Sequence, residues 1–213
     1  MSKVVEKVVD ISAPNFGTAV FKIIGTAPLV IHRFSKKIAD DFARGMGAPN
    51  AKKGAKTKRE PVKLEDIYNE GRYISDEGWD GFNASAIRAG MISVCRLVNY
   101  KMTLAKMSVF VVQDGWDKIE PQIPLVRIYG NPVMQKDIGR VATGNSYLIV
   151  RPAYHNWHAE IKIRWDNDQF TIDNITNLLN RVGQQCGIGE GRPDSKKSCG
   201  MGWGTFEVER VKK

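Results

Sequence analysis

A chain of 213 residues, 42% hydrophobic and 26% charged, carries enough apolar material for one globular domain with room for an insertion, which excludes global disorder. Its 32 Lys and Arg against 23 Asp and Glu leave a net charge of +9, a field that favours polyanionic partners such as nucleic acid over an anionic membrane surface. Three cysteines without a Cys-x-x-Cys pair, and no run approaching the roughly 20 apolar residues of a membrane span, argue against a disulfide framework, a zinc knuckle and a transmembrane protein.

The opening segment, MSKVVEKVVDIS, lacks the long apolar core of a secretory signal, so a cytosolic protein with Cys95, Cys186 and Cys199 reduced is expected. Val20 to Gly25 then reads as a first strand, continued by Ala27-Pro28-Leu29-Val30-Ile31 as a bent or bulged extension ending at His32. Ser35 fits an N-cap, and Ile38, Phe42 and Met46 behind it predict a short amphipathic helix that Gly45 and Gly47 disrupt. From Ala48 to Lys63 the composition changes. Lys52, Lys53, Lys56, Lys58, Arg59 and Lys63 face a single acid, Glu60, with almost no large apolar residue, so this stretch cannot pack as core. It is either a linker or a finger that orders on phosphates, and its place inside one domain favours an outward-reaching basic insertion over residues 48–80.

Phe82 to Met91 opens a stronger helix, with Asn83 or Ser85 as cap and Ile87, Met91, Val94, Cys95 and Val98 on its apolar face, while Arg88 and Arg96 fall off that stripe. Met107 to Gln113 and Leu125 to Tyr129 are apolar enough for buried strands, punctuated by turns at Asp114-Gly115 and Asn131-Pro132. Alternation is clearest where Ala159, Ile161, Ile163 and Trp165 oppose Glu160, Lys162 and Arg164, which predicts a strand with one buried face. His155 and His158 sit at its entrance, where alternation separates the two imidazoles and disfavours a metal site. Thr171 or Asp173 starts a helix with Ile172, Ile175, Leu178, Leu179 and Val182 as its stripe and Gly187 as its stop, and Thr205 to Val211 is the last strand.

Between that helix and strand, residues 187–204 read GIGEGRPDSKKSCGMGWG, concentrating six glycines, the cations Arg192, Lys196 and Lys197, and Trp203. Glycine permits positive φ and close approach of backbone N–H groups to an anion, so a polyanion clamp is the leading expectation against a plain surface connection. The loop follows a helix, whereas a dinucleotide fingerprint follows a strand, and neither a G-x-x-x-x-G-K-[ST] nor a G-x-S-x-G motif occurs. Nucleotide hydrolysis and serine-type nucleophilic catalysis are therefore not expected, and no cofactor or metal is called for. The order strand, helix, strands, helix, strand predicts an α+β, ferredoxin-like antiparallel sheet with both long helices on one face. A helical subdomain or long hairpin around the basic insertion would decorate it.

Three stretches resemble the RAMP superfamily of CRISPR-associated proteins. They are the first strand with Pro28-Leu29-Val30-Ile31-His32, the helix start Phe82-Asn83-Ala84-Ser85-Ala86-Ile87-Arg88, and the loop Gly187-Ile188-Gly189 through Gly200-Met201-Gly202-Trp203-Gly204-Thr205-Phe206. The resemblance covers about a quarter of the chain. It implies a single RRM-like domain over residues 1–213 that binds RNA and carries a glycine-rich loop before its final strand. Over its whole length the chain also resembles a set of tailed-phage and prophage proteins sharing His32-Arg33-Phe34-Ser35, Lys101-Met102-Thr103 and Gly187 to Pro193, which implies the cytoplasm of a bacterial host. The CRISPR backbone subunits are usually longer than this chain.

The function expected from these readings is non-catalytic binding of single-stranded RNA or DNA, with homo-oligomers strung along the strand. Lys52, Lys53, Lys56, Lys58, Arg59, Arg88, Arg192, Lys196 and Lys197 would contact phosphates, and Trp203, with Tyr73 or Trp79, would stack on bases. Trp116, Trp157 and Trp165 fit core or strand-edge positions instead. One alternative is a metal-independent endoribonuclease, since RAMP processing enzymes often carry a histidine near the end of the first strand and His32 matches that place. Another is a virion or scaffolding protein, or one acting on host machinery, without a nucleic-acid role.

Overall fold

The computed structural model describes residues 11–33, 63–140, 146–195 and 200–210. The helix expected after Ser35 and the cations Lys52, Lys53, Lys56, Lys58, Arg59, Lys196 and Lys197 lie outside them, as does Cys199. In chain order the described elements are β1 (Phe16–Gly25), β2 (Leu29–Val30), α1 (Leu64–Glu70), β3 (Tyr73–Ile74), β4 (Asp80–Asn83), α2 (Ser85–Val94) and α3 (Met102–Ser108). They continue with β5 (Val109–Val112), β6 (Gly115–Trp116), β7 (Pro124–Arg127), β8 (Pro132–Arg140), β9 (Ser146–Tyr154), β10 (His158–Asp166), α4 (Ile172–Arg181) and β11 (Phe206–Arg210). The architecture is mixed α and β, with every strand pairing antiparallel.

The central sheet has the order β11-β1-β10-β5. Its inward rows, Phe21 and Ile23 of β1 and Ala159, Ile161, Ile163 and Trp165 of β10, join Val109 and Phe206 in one core with Ile87, Met91 and Val94 of α2 and Ile175, Leu178 and Leu179 of α4. Both long helices thus cover one face of the sheet and leave the other to solvent, where Val20, Lys162 and Glu207 point outward. Two further sheets flank it: β2-β9-β8, and β3-β4-β7-β6. Arg33 and Asp117, both buried, pair at 3.0 Å and link the end of β2 to the second of these. Among the described residues no helix is long and apolar enough to cross a membrane.

Local chemistry accounts for the elements that periodicity foretold. Thr171 caps α4 in a full capping box, its Oγ1 accepting from the Asn174 N–H while the Asn174 carboxamide oxygen accepts from the Thr171 N–H. After one turn of π-helix, Val182–Cys186, Gly187 at φ 68 ends the run, as its position predicted. The N-cap of α2 is Ala84, neither Asn83 nor Ser85, although Asn83 Oδ1 accepts from the Ser85 N–H at the helix start.

Several expectations need correction. Pro28 to Ile31 does not extend the first strand: β2 leaves the central sheet and pairs with β9. Met107 lies in α3, and only Val109–Val112 is strand, because Ala105 and Ser108 bury one side of a short helix just before it. Val98 is exposed, since the α2 stripe passes into a 3-10 turn at Cys95 whose narrower winding rotates it outward. Gly115 and Pro132 begin strands where turns were expected. The long hairpin is β8–β9, far in sequence from the basic stretch. Within the 48–80 segment, residues 64–70 form α1, and β3 pairs with β4.

Candidate nucleic-acid interface

The glycine-rich segment is fastened to the molecule through the same N–H groups that were expected to cradle an anion. Gly187 donates to Val182 O, Ile188 to Gly204 O, Glu190 to Val30 O, Asp194 to Cys186 O and Gly204 to Pro28 O, at 2.7–3.1 Å. Gly189 (φ 75) and Gly204 (φ 68) are required by close approach: a Cβ on the first would meet Val30 O, and one on the second would run into Ile188 O. The loop therefore docks on β2 as a tight backbone seam. It offers side chains more than amides to a ligand.

Beside that seam lies a cleft of about 550 Å³ between α2, His32 and the loop. His32 is half-buried, and burial lowers its pKa; Glu190 pulls it up and Arg151 pushes it further down, so the ring is held neutral at neutral pH. Arg96 pairs with Asp194 at 2.7 Å, and Ser93 donates to the same carboxylate at 3.0 Å. The Arg96 hydrogen bond is the largest cause holding the Asp194 carboxyl below its usual range. Burial, reinforced by Asp194, pushes the Cys186 thiol up to about 11, which keeps it protonated and unreactive. Arg192 donates to Gly189 O at 3.0 Å and edges the same space. The cleft is thus of mixed charge. Among the described residues no cluster of His, Cys, Asp and Glu is placed to hold a metal ion.

A second surface gathers Arg88 and Trp79 with residues that no local motif singled out. On the open face of the central sheet, register sets Phe110 of β5 beside Arg164 of β10, and Arg164 beside Thr18 of β1. The Arg164 guanidinium lies 5.0 Å from the Phe16 ring centre and 5.1 Å from that of Phe110, and the two rings meet edge to face at 5.9 Å. Arg88 closes the outer side of Phe110 at 5.2 Å. Lys162 follows on the same row of β10. At the far end, His158 stacks on Tyr129 with ring centres 4.8 Å apart and planes 7° apart, and Arg127 sits 5.0 Å from Tyr129 and 5.9 Å from Trp79. From Arg164 to His158 the strip runs ~20 Å along β10 at the usual strand rise. The acids of this face are Glu160 and Asp166 on the β10 row itself, Glu160 standing between Lys162 and His158, and Glu207 and Glu209 on β11 at the opposite edge, where Glu209 pairs with Lys22 at 3.3 Å.

Among the described residues, the structure does not bring the predicted ones to one place. Arg192 and Trp203 belong to the glycine loop, with the Trp203 ring laid against Gly191. Arg88 is on the sheet strip, where it also donates to the backbone carbonyls of Val109 and Lys106 and so caps the end of α3. Tyr73 is half-buried under Arg33, whereas Trp79 borders the strip. Trp157 and Trp165 are core, and Trp116 is 44% exposed on the edge strand β6. No protein-family model matches this chain, and no curated protein sequence matches it.

Proposed function

We propose that this protein binds single-stranded nucleic acid across the open face of a ferredoxin-like, RAMP-type sheet, without chemistry. The observation that carries the reading is the strip in which Phe16, Phe110, Tyr129 and Trp79 alternate with Arg164, Arg88 and Arg127. Aromatic faces accept any base by stacking, and guanidinium groups between them neutralise phosphates, which suits a strand bound without sequence preference. The order β11-β1-β10-β5, with α2 between β1 and β5 and α4 between β10 and β11, supports the ferredoxin-like assignment. In this reading the glycine loop with Arg192 and the 48–63 stretch extend the contact, and successive copies follow the strand in a phage-type setting.

Titrating labelled single- and double-stranded RNA and DNA at low and near-physiological salt tests the proposal. Single strands bind more tightly than duplexes, and Phe16→Ala with Phe110→Ala weakens binding by about 1–3 kcal/mol per stacked base lost. Equal affinity of that double variant sinks the assignment of the sheet face.

A second reading is favoured by one observation, the neutral, half-buried imidazole of His32 in the loop cleft. Such a ring accepts a 2′-hydroxyl proton, as metal-independent RNA cleavage requires. Cleavage of single-stranded RNA in the presence of chelator, abolished in His32→Ala, would replace the non-catalytic proposal.

A further inference from the structure

On the helical side of the molecule, away from the aromatic strip, a groove of about 730 Å³ runs along α4. Six carboxamides line it: Gln169, Asn174, Asn177, Asn180, Gln184 and Gln185. Among the described residues no carboxylate lines it, and the one cation there, Arg181, already donates to Gln185 Oε1 at 3.3 Å. Phe170 and Leu178, both buried, form the floor, and Val98 and Tyr100 stand on the opposite wall.

The amide orientations are set by their neighbours. Asn174 Oδ1 accepts from the Thr171 N–H, and Gln185 Oε1 from a guanidinium, so each turns its NH2 group outward as a donor. Tyr100 donates to Gln169 Oε1 at 2.9 Å with the same result. Asn177, Asn180 and Gln184 add carboxamides with a donor and an acceptor side by side, the complement of a peptide C=O and N–H. Asn174 and Gln185 are eleven residues apart on helical backbone, which sets a row of ~16 Å, the reach of about five extended residues.

We propose that this groove receives an extended segment of a partner protein, held through its main chain by the carboxamide row with an apolar side chain against Phe170 and Leu178. A polyanion is a poor occupant because it needs several free cations, whereas a peptide low in basic residues meets both the amide donors and Arg181. The proposal is independent of nucleic-acid binding, since α4 covers the face of the sheet opposite the strip.

The test pans a displayed random heptapeptide library against the full-length protein and measures the enriched peptides by fluorescence anisotropy. The competitor is the triple variant Asn177→Ala, Asn180→Ala, Gln184→Ala, which spares the Asn174 cap and whose folding is checked by circular dichroism. Enriched peptides poor in Lys and Arg that bind the variant on the order of tenfold more weakly support the groove. Failure to enrich any peptide, or equal binding to the variant, overturns it. So does chemical-shift change of these side-chain amides on adding an oligonucleotide in place of peptide.

Discussion

Asp117 is fully buried and meets Arg33, itself 5% exposed, at 3.0 Å; Glu120 joins at 3.2 Å and the Tyr73 ring covers the guanidinium at 5.7 Å. Without Asp117 the buried guanidinium keeps only the partly exposed Glu120 as counter-ion. Asp117→Ala is therefore expected to cost about 2–3 kcal/mol of stability, read as a lowered urea midpoint. A shift below about 1 kcal/mol would mean that water reaches Arg33. The neighbouring His32 gives a pH dependence. Burial lowers its pKa in the folded state, so the unfolded chain takes up the proton first. Its contribution is complete above the unfolded value near 6.5 and is lost as the pH falls through the lower folded value. His32→Gln should flatten the stability profile in that window, and an unaltered profile would show that the ring is solvated. Arg33 carried no signal in the sequence, because its partner comes from a distant turn and charge pairing is invisible until the chain is folded.

At the level of elements, glycine position decides more than glycine number. Gly202 and Gly204 both hold positive φ, 75 and 68, but a Cβ at Gly202 meets nothing within 4 Å while one at Gly204 strikes the Ile188 carbonyl. Gly202→Ala should cost about 1 kcal/mol from backbone strain alone, and Gly204→Ala distinctly more, because the backbone there must also part from Ile188 on the facing side of the loop. Thermal unfolding of the two variants separates these terms; equal losses would remove the seam from the argument. The loop's location and its helix-to-strand context were legible, since a capped apolar stripe and a terminal strand bracket it. Its job as a seam was not, because composition does not say which carbonyls the N–H groups will find. The β8–β9 hairpin escaped notice for a different reason. Its apolar residues do not alternate cleanly: Ile138 and Leu148 face each other across the ladder and are both exposed, whereas Pro152, Ala153 and Tyr154 are buried in succession, so no period of two was imposed on the sequence. β10, buried on one side only, wrote that period plainly.

Over the whole molecule, the net charge of +9 favours a polyanionic partner but does not say where one would lie. The strip on the open sheet face draws Phe16, Trp79, Arg88, Phe110, Arg127, Tyr129, His158 and Arg164 from six separate elements and the residues beside them. Strand register assembles it, and no local spacing reveals it. The glycine loop and the basic stretch, both visible as compositional anomalies, are not part of this strip. The two contributions are separable by salt. For single strands the logarithm of affinity falls with the logarithm of salt by about 0.7 per phosphate neutralised. Replacing Lys52, Lys53, Lys56, Lys58 and Arg59 by glutamine should lower that slope and the affinity at low salt together, with the fold unchanged by circular dichroism. Phe16→Ala with Phe110→Ala should lower affinity at every salt concentration and leave the slope as it is, because stacking releases no counterions. If the glutamine variant keeps the wild-type slope, the basic stretch makes no phosphate contact, and the cations on the sheet face and loop must account for all of it.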